Sequence, residues 1–168
     1  MGGVLPSSRT LARTVAETAR DLLESDATPL IEIGPGTGAL TQELVQVSNH
    51  LVLLERNPEF ARDLLLRFSG LKVVCDDFLT SSVFSTGNRG AVVVSSLPIL
   101  SLPHPELFRA RFRELLVSGA VRAVVQYSYG WRDPLDLSDA GIEVHRRRFV
   151  ARNLPPAFVW TYRLRSEY

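Results

Sequence analysis

One stretch limits what this chain can fold into more than any other: Leu30-Ile31-Glu32-Ile33-Gly34-Pro35-Gly36-Thr37-Gly38-Ala39-Leu40. Apolar residues flank Glu32 on both sides, which is how a strand buried in a parallel sheet reads. Three glycines at spacing two follow, and a helical pattern begins near Ala39. Glycine admits positive φ and lets a ligand approach main-chain atoms that a Cβ would cover. Strand, glycine turn and helix N-terminus make the first crossover of a doubly wound sheet, with a ligand crevice at the strand's C-terminal edge.

The spacing differs from the dinucleotide fingerprint G-x-G-x-x-G. The third glycine comes one residue early, Pro35 occupies the turn, and Glu32 stands beside the expected ligand. A carboxylate there repels phosphate and attracts an ammonium or a sulfonium. The pattern acidic-x-G-x-G-x-G resembles motif I of class I S-adenosylmethionine (SAM) methyltransferases. That resemblance implies cofactor contacts from Glu32, Gly34, Pro35, Gly36, Thr37 and Gly38.

Further strands follow in order. Arg9 to Glu24 keep apolar residues at helical spacing, with Ser7 as a candidate N-cap. Leu51–Leu54 read as a second strand ending at Glu55, and Asn57-Pro58 open a helix to about Phe68. Leu71–Cys75 and Ala91–Ser95 read as the third and fourth strands. Pro105 opens a helix that Ser118-Gly119 end, Val121–Tyr127 form a fifth strand, and Ser128–Ala140 read as a loop. Residues Glu143–Ala151 and Phe158–Leu164 pair as a closing antiparallel hairpin. The expected fold is a single α/β domain over residues 1–168, Rossmann-like, with three layers. Family resemblance adds seven strands, mostly parallel, the last antiparallel.

Chemistry-bearing residues end successive strands. Glu55 falls 21 positions after Gly34, where a carboxylate accepts both hydroxyl hydrogens of a ribose; Arg56 follows it. Asp76, Asp77 and Phe78 close the third strand, where an aspartate can accept from the adenine amine and the Phe78 ring can border the base; Asp77 is the preferred acceptor. The fourth strand ends Ser95-Ser96-Leu97-Pro98-Ile99. Methyltransferases acting on a base nitrogen carry N/D-P-P-Y/F or a variant here, with a ring that stacks on the base. This chain has Ser95 for the polar residue and Ile99 for the ring. Ser95 and Ser96 border the cofactor side, and Leu97 and Pro98 the acceptor side. Tyr127, Tyr129 and Trp131 follow the fifth strand and can form an aromatic pocket for a cation. Ser95 and Tyr129 are the candidates to orient the accepting amine. Arg146, Arg147 and Arg148 alternate faces on a strand and sit mostly in water.

Net charge is +1, so no global field recruits a polyanion. With the absent ring, this predicts that nucleic acid is not the partner. Cys75 is the one cysteine and the three histidines are scattered, which predicts no metal. No signal peptide or spanning segment is read, so the expected location is cytoplasmic, with peripheral contact at the inner membrane face.

Gly3 to Arg9, IEIGPGTGALT, LLERNPEFA, SSLPILSLP, VQYSYG and RNLPPAFVW together resemble the bacterial phospholipid N-methyltransferase family, itself related to rRNA adenine dimethyltransferases. Asp76 and Ser96 stand where that family commonly has glycine. The resemblance implies SAM as cofactor, S-adenosylhomocysteine as product, and methylation of phosphatidylethanolamine towards phosphatidylcholine. The family's usual N-terminal membrane-docking helix is not seen in the chain. An rRNA adenine dimethyltransferase, a small-molecule amine methyltransferase and a non-catalytic SAM-binding protein are the alternatives.

Overall fold

A computed structural model describes residues 9–85, 89–137 and 141–165. Ser7 and most of the Gly3–Arg9 segment lie outside them.

Seven strands form one sheet: β1 (Leu30–Ile33), β2 (Leu51–Glu55), β3 (Lys72–Cys75), β4 (Ala91–Ser95), β5 (Val121–Tyr129), β6 (Ile142–Val150) and β7 (Ala157–Leu164). Their spatial order is β3-β2-β1-β4-β5-β7-β6. The first five run parallel, and β7 pairs antiparallel with both β5 and β6. The order turns at β1, so the loops after β1 and β4 separate there and leave a crevice at the strands' C-terminal edge.

Helices α1 (Arg9–Arg20), α2 (Thr41–Leu44) and α3 (Pro58–Arg67) cover one face, and α4 (Pro105–Val117) covers the other. Leu11, Val15 and Ala19 of α1 are fully buried, packed with Leu30, Val92, Val94 and Val125. Phe112 and Leu116 of α4 meet Ile31, Val93 and Val124 on the opposite face. Alternate residues of the central strands thus feed two cores, which is why these strands read as continuous apolar runs.

Local chemistry sets several boundaries. The Asn57 side chain accepts from the Glu59 N–H at 2.8 Å with Pro58 in the first turn, the cap expected from sequence. The helix expected from Ala39 to Val47 is regular only over Thr41–Leu44, with turns on both sides. The expected first helix, reaching Glu24, ends at Arg20. Strand β5 extends two residues past Tyr127, because β7 pairs with it as far as Tyr129↔Ala157.

Among the described residues no helix is long and apolar enough to cross a membrane.

Candidate SAM and acceptor crevices

Two crevices of about 150 Å³ each open at the C-terminal edge of the sheet. The first lies over β1, β2 and β3 and is lined by Gly34, Glu55, Arg56, Asp76, Asp77 and Phe78, among others. The second lies over β4 and β5 and is lined by Ser96, Leu97, Pro98, Tyr127, Ser128 and Tyr129, among others. Leu97 borders both. The β4 loop is therefore the partition between them.

Glu55 is the brace of the first crevice. Its Oε2 accepts from the Gly36 N–H at 3.0 Å and its Oε1 from the Asn57 N–H at 2.8 Å. One carboxylate thereby holds the glycine loop against the start of α3 and retains lone pairs for a ligand hydroxyl. Asp76 and Asp77 both face this crevice. The Asp76 Oδ1 accepts from the Asp77 N–H, and the Asp77 Oδ1 accepts from the Leu79 N–H, each at 2.8 Å. The Asp77 Oδ2 lies 3.6 Å from the exposed Arg56 guanidinium. Phe78 is 4% exposed and packs its ring on Phe112 at 4.6 Å between centroids, so it forms the crevice floor.

Glu32 stands elsewhere than the sequence reading expects. It does not line the crevice; it is fully buried beneath the glycine loop, accepting from the Thr41 hydroxyl at 2.6 Å. Its Oε1 has no protein partner among the described residues. Desolvation pushes its carboxyl from the ordinary 4.5 up to about 8, with the Thr41 bond opposing and the Glu55 charge adding to the rise. Between those values the folded protein holds a proton that the unfolded chain releases. The contribution of Glu32 to folding stability is therefore fully present below about pH 4.5, falls as pH rises towards 8, and levels off above it. The loss is on the order of a few kcal/mol. Urea denaturation at about pH 5 and about pH 9 tests this: wild type loses stability between them, and Glu32→Gln loses far less.

The loop after β4 is held from below. Ser95 is fully buried, with its Oγ 3.4 Å from the Leu97 N–H. The Ser96 N–H donates to the Ile33 carbonyl at 2.9 Å, while its buried Oγ has no protein partner among the described residues. Ile99 is 1% exposed and turned into the core, so that position offers no stacking surface. Tyr127 and Tyr129 lie ring edge to ring face at 6.1 Å. Trp131, grouped with them in the sequence reading, is 84% exposed and lines neither crevice.

One positioning residue escapes the sequence reading. Gln126 is 1% exposed in β5, and its Nε2 donates to the Leu97 carbonyl at 3.0 Å and the Tyr127 carbonyl at 2.8 Å. It ties the partition to β5. A lone amide inside the run Val124-Val125-Gln126-Tyr127 is the available signal, since a buried polar side chain requires a partner.

The chemistry of the first crevice is compatible with SAM: a glycine loop whose Gly34 would bring a Cβ to 2.8 Å from Leu97, a braced carboxylate and two aspartates. Among the described residues no cluster of His, Cys, Asp and Glu could hold a metal. Solved structures share the architecture. CcbJ methyltransferase from Streptomyces caelestis superposes with a TM-score of 0.73 at 14% identity, covering 94% of this chain and 96% of that one. The magnesium protoporphyrin IX methyltransferase from Synechocystis, solved with SAM, gives 0.68 at 13% identity, covering 93% and 80%. The 23S rRNA methyltransferase ErmE gives 0.64 at 20% identity, covering 95% and 69%. The shared architecture is the Rossmann-like fold of SAM-dependent methyltransferases.

The family follows from the sequence comparison. Residues 7–104 match the ribosomal RNA adenine dimethylase model, and the chain belongs to that family. Among curated relatives, the ribosomal RNA small subunit methyltransferase A of Chlorobium limicola is 35% identical over 81 residues, 48% of this chain and 30% of that protein. An rRNA adenine N-6-methyltransferase of Saccharopolyspora erythraea is 40% identical over 80 residues, 46% of this chain and 20% of that protein. The matched region thus spans a third or less of these two relatives.

These relatives correct two expectations. The finer resemblance to phospholipid N-methyltransferases, with its lipid substrate and membrane contact, finds no support among them. The expectation that nucleic acid is not the partner is overturned, because the relatives are named as rRNA methyltransferases. Both errors have a physical source. The segments IEIGPGTGALT and LLERNPEFA lie on the side of the first crevice, whose chemistry is common to methyltransferases with different acceptors. Net charge also averages over the surface and hides a local concentration of one sign.

Proposed function

We propose that this domain transfers a methyl group from SAM to the exocyclic amine of an adenine in RNA. Family membership supports the base, and one observation carries the geometry: two crevices meet at Leu97, so a donor in one and a planar acceptor in the other approach across the β4 loop. SAM, when bound, supplies an electrophilic methyl on a sulfonium.

The chain's own residues align and desolvate the reactants, which supplies much of the acceleration in such a transfer. Glu55 accepts the ribose hydroxyls while it braces the Gly36 N–H. Asp77, with Asp76 beside it, accepts from the adenine amine of the cofactor. The glycine loop brings main-chain N–H groups close to the ligand. On the acceptor side, Ser96 Oγ is the candidate to accept a hydrogen from the incoming amine and fix its lone pair towards the methyl. The Leu97 carbonyl, oriented by Gln126, is the second such acceptor. Pro98 and Tyr129 supply the flat walls that the buried Ile99 does not. The attacking nitrogen becomes cationic and then releases its proton to water.

The decisive measurement uses SAM labelled on its methyl, offered with rRNA, with ethanolamine-lipid vesicles and with small amines in parallel. The expected result is label in rRNA, recovered as N6-methylated adenine. Label in lipid or small amines with none in RNA rejects the proposal.

A further inference from the structure

The last hairpin carries a charge pattern that the proposed chemistry does not use. From Val144 to Leu164 there are five arginines and no carboxylate, in a chain whose net charge is only +1. Three of the five are matched by acids: Arg146 by Asp21 at 3.2 Å, Arg148 by Glu17 at 3.8 Å and Arg163 by Glu143 at 3.0 Å. Arg147 and Arg152 have no carboxylate within ion-pair distance among the described residues.

Aromatic rings accompany the unmatched charge. The Arg147 guanidinium lies over the Phe158 and Trp160 rings, 5.2 and 5.3 Å from their centroids. Phe149, 59% exposed on the edge strand β6, packs on Phe158 at 5.0 Å. On the face that carries Phe158 and Trp160, α4 packs mainly on β5 and β7, while α1 meets β6 from the opposite face. The turn between β6 and β7 carries Arg152 and the exposed Leu154.

Register ties this surface to the acceptor crevice. Ser128 lines the crevice, pairs with Phe158 on β7, and accepts from the Trp160 Nε1 at 2.9 Å. Phe158 in turn pairs with Phe149 on β6. The crevice and the exposed ring are therefore two strands apart, roughly 10 Å, on one face and at one edge of the sheet. Arginines without a carboxylate partner beside an exposed ring are features that hold a single nucleic-acid strand by its phosphates and bases.

We infer that the β6–β7 face binds the single-stranded RNA flanking the methylated base, with Phe149 stacking on a neighbouring base and Arg147 and Arg152 on its phosphates. This rests on the proposed RNA substrate. It adds a docking track on the methyltransferase domain itself, beyond the acceptor crevice.

The test measures anisotropy of a fluorescent, adenine-containing RNA 12-mer across a potassium chloride series. Wild type, Arg147→Gln/Arg152→Gln and Phe149→Ala are compared, with SAM affinity by calorimetry and Tm as controls. Removing two phosphate contacts lowers the slope of log affinity against log salt by about 1.4. Phe149→Ala weakens RNA about tenfold at every salt concentration. SAM affinity stays unchanged throughout. Arg152→Gln alone, at an exposed turn, carries the test if Arg147→Gln disturbs folding, with a slope change of about 0.7.

Variants that bind and methylate RNA like wild type overturn the docking face and leave the proposed function standing. Wild type that neither binds nor methylates RNA overturns both. Binding of wild type to anionic phosphatidylglycerol vesicles, lost in the same variants while RNA affinity is unchanged, assigns the face to a bilayer and overturns the inference.

Discussion

Glu55→Ala loses SAM binding by a hundredfold or more in calorimetry, while the protein still folds. The carboxylate has two duties that the substitution removes together. In the free protein it accepts from the Gly36 and Asn57 N–H groups, and in the proposed complex its remaining lone pairs take the ribose hydroxyls. Hydrogen bonds to a charged acceptor contribute about 1.5–3 kcal/mol each, so losing the ribose pair alone accounts for about 3 kcal/mol or more. Glu55→Gln separates the duties. Its amide keeps the shape and one acceptor oxygen, but its NH₂ meets either the Gly36 N–H or a ribose hydroxyl as a second donor. Its affinity should fall between wild type and alanine. An alanine variant that binds SAM as wild type does removes Glu55 from the cofactor site.

The glycine loop gives the second large effect, and its three positions separate by mechanism. Gly34, Gly36 and Gly38 have φ of +68°, +54° and +78°, where a Cβ costs about 1–2 kcal/mol. Beyond that common cost their surroundings differ. A Cβ on Gly36 meets nothing within 4 Å, so Gly36→Ala carries the strain alone. A Cβ on Gly38 falls 2.6 Å from the Phe68 ring and 3.1 Å from Leu64. Overpacking of that kind adds about 1–3 kcal/mol, and Gly38→Ala should lower Tm by roughly 5–15 °C.

A Cβ on Gly34 falls 2.8 Å from the Leu97 Cδ2. Leu97 must swing, and Leu97 is the wall common to both crevices. Gly34→Ala therefore weakens SAM and slows methyl transfer together, by more than tenfold in kcat/KM, with a smaller loss of Tm than Gly38→Ala. An ångström of misplacement between reacting groups has consequences of that size. Equal kinetic effects from Gly34→Ala and Gly36→Ala would mean that Leu97 does not align the reactants.

Much of this molecule is legible in its sequence. The strands announce themselves as short apolar runs because helices cover both faces of the sheet. Asn57-Pro58 reads as a helix start because the cap is a contact within two residues. Gly34, Glu55 and Asp77 read as candidates for one ligand site because each follows or ends a strand, and parallel strands bring those ends to one edge. Arg146, Arg147 and Arg148 were read as one solvated cluster. Two of them meet acids in or just after α1, Glu17 and Asp21, more than a hundred residues away, and only the third is left over.

Glu32 and Ile99 mark the boundary most clearly. A period of two says that neighbouring strand residues face opposite ways, but not which way leads to the crevice; Glu32 went under the loop and Ile99 into the core. The role of Gln126 depends on β5 lying next to β4, a pairing no local pattern encodes. Sequence alone determined the α/β class, the glycine turn and the acidic residues at the strand ends, because propensity and periodicity act over a few residues. Only the tertiary structure decided that Leu97 divides two crevices and that a basic, aromatic face adjoins one of them, because both depend on pairings between segments far apart in the chain.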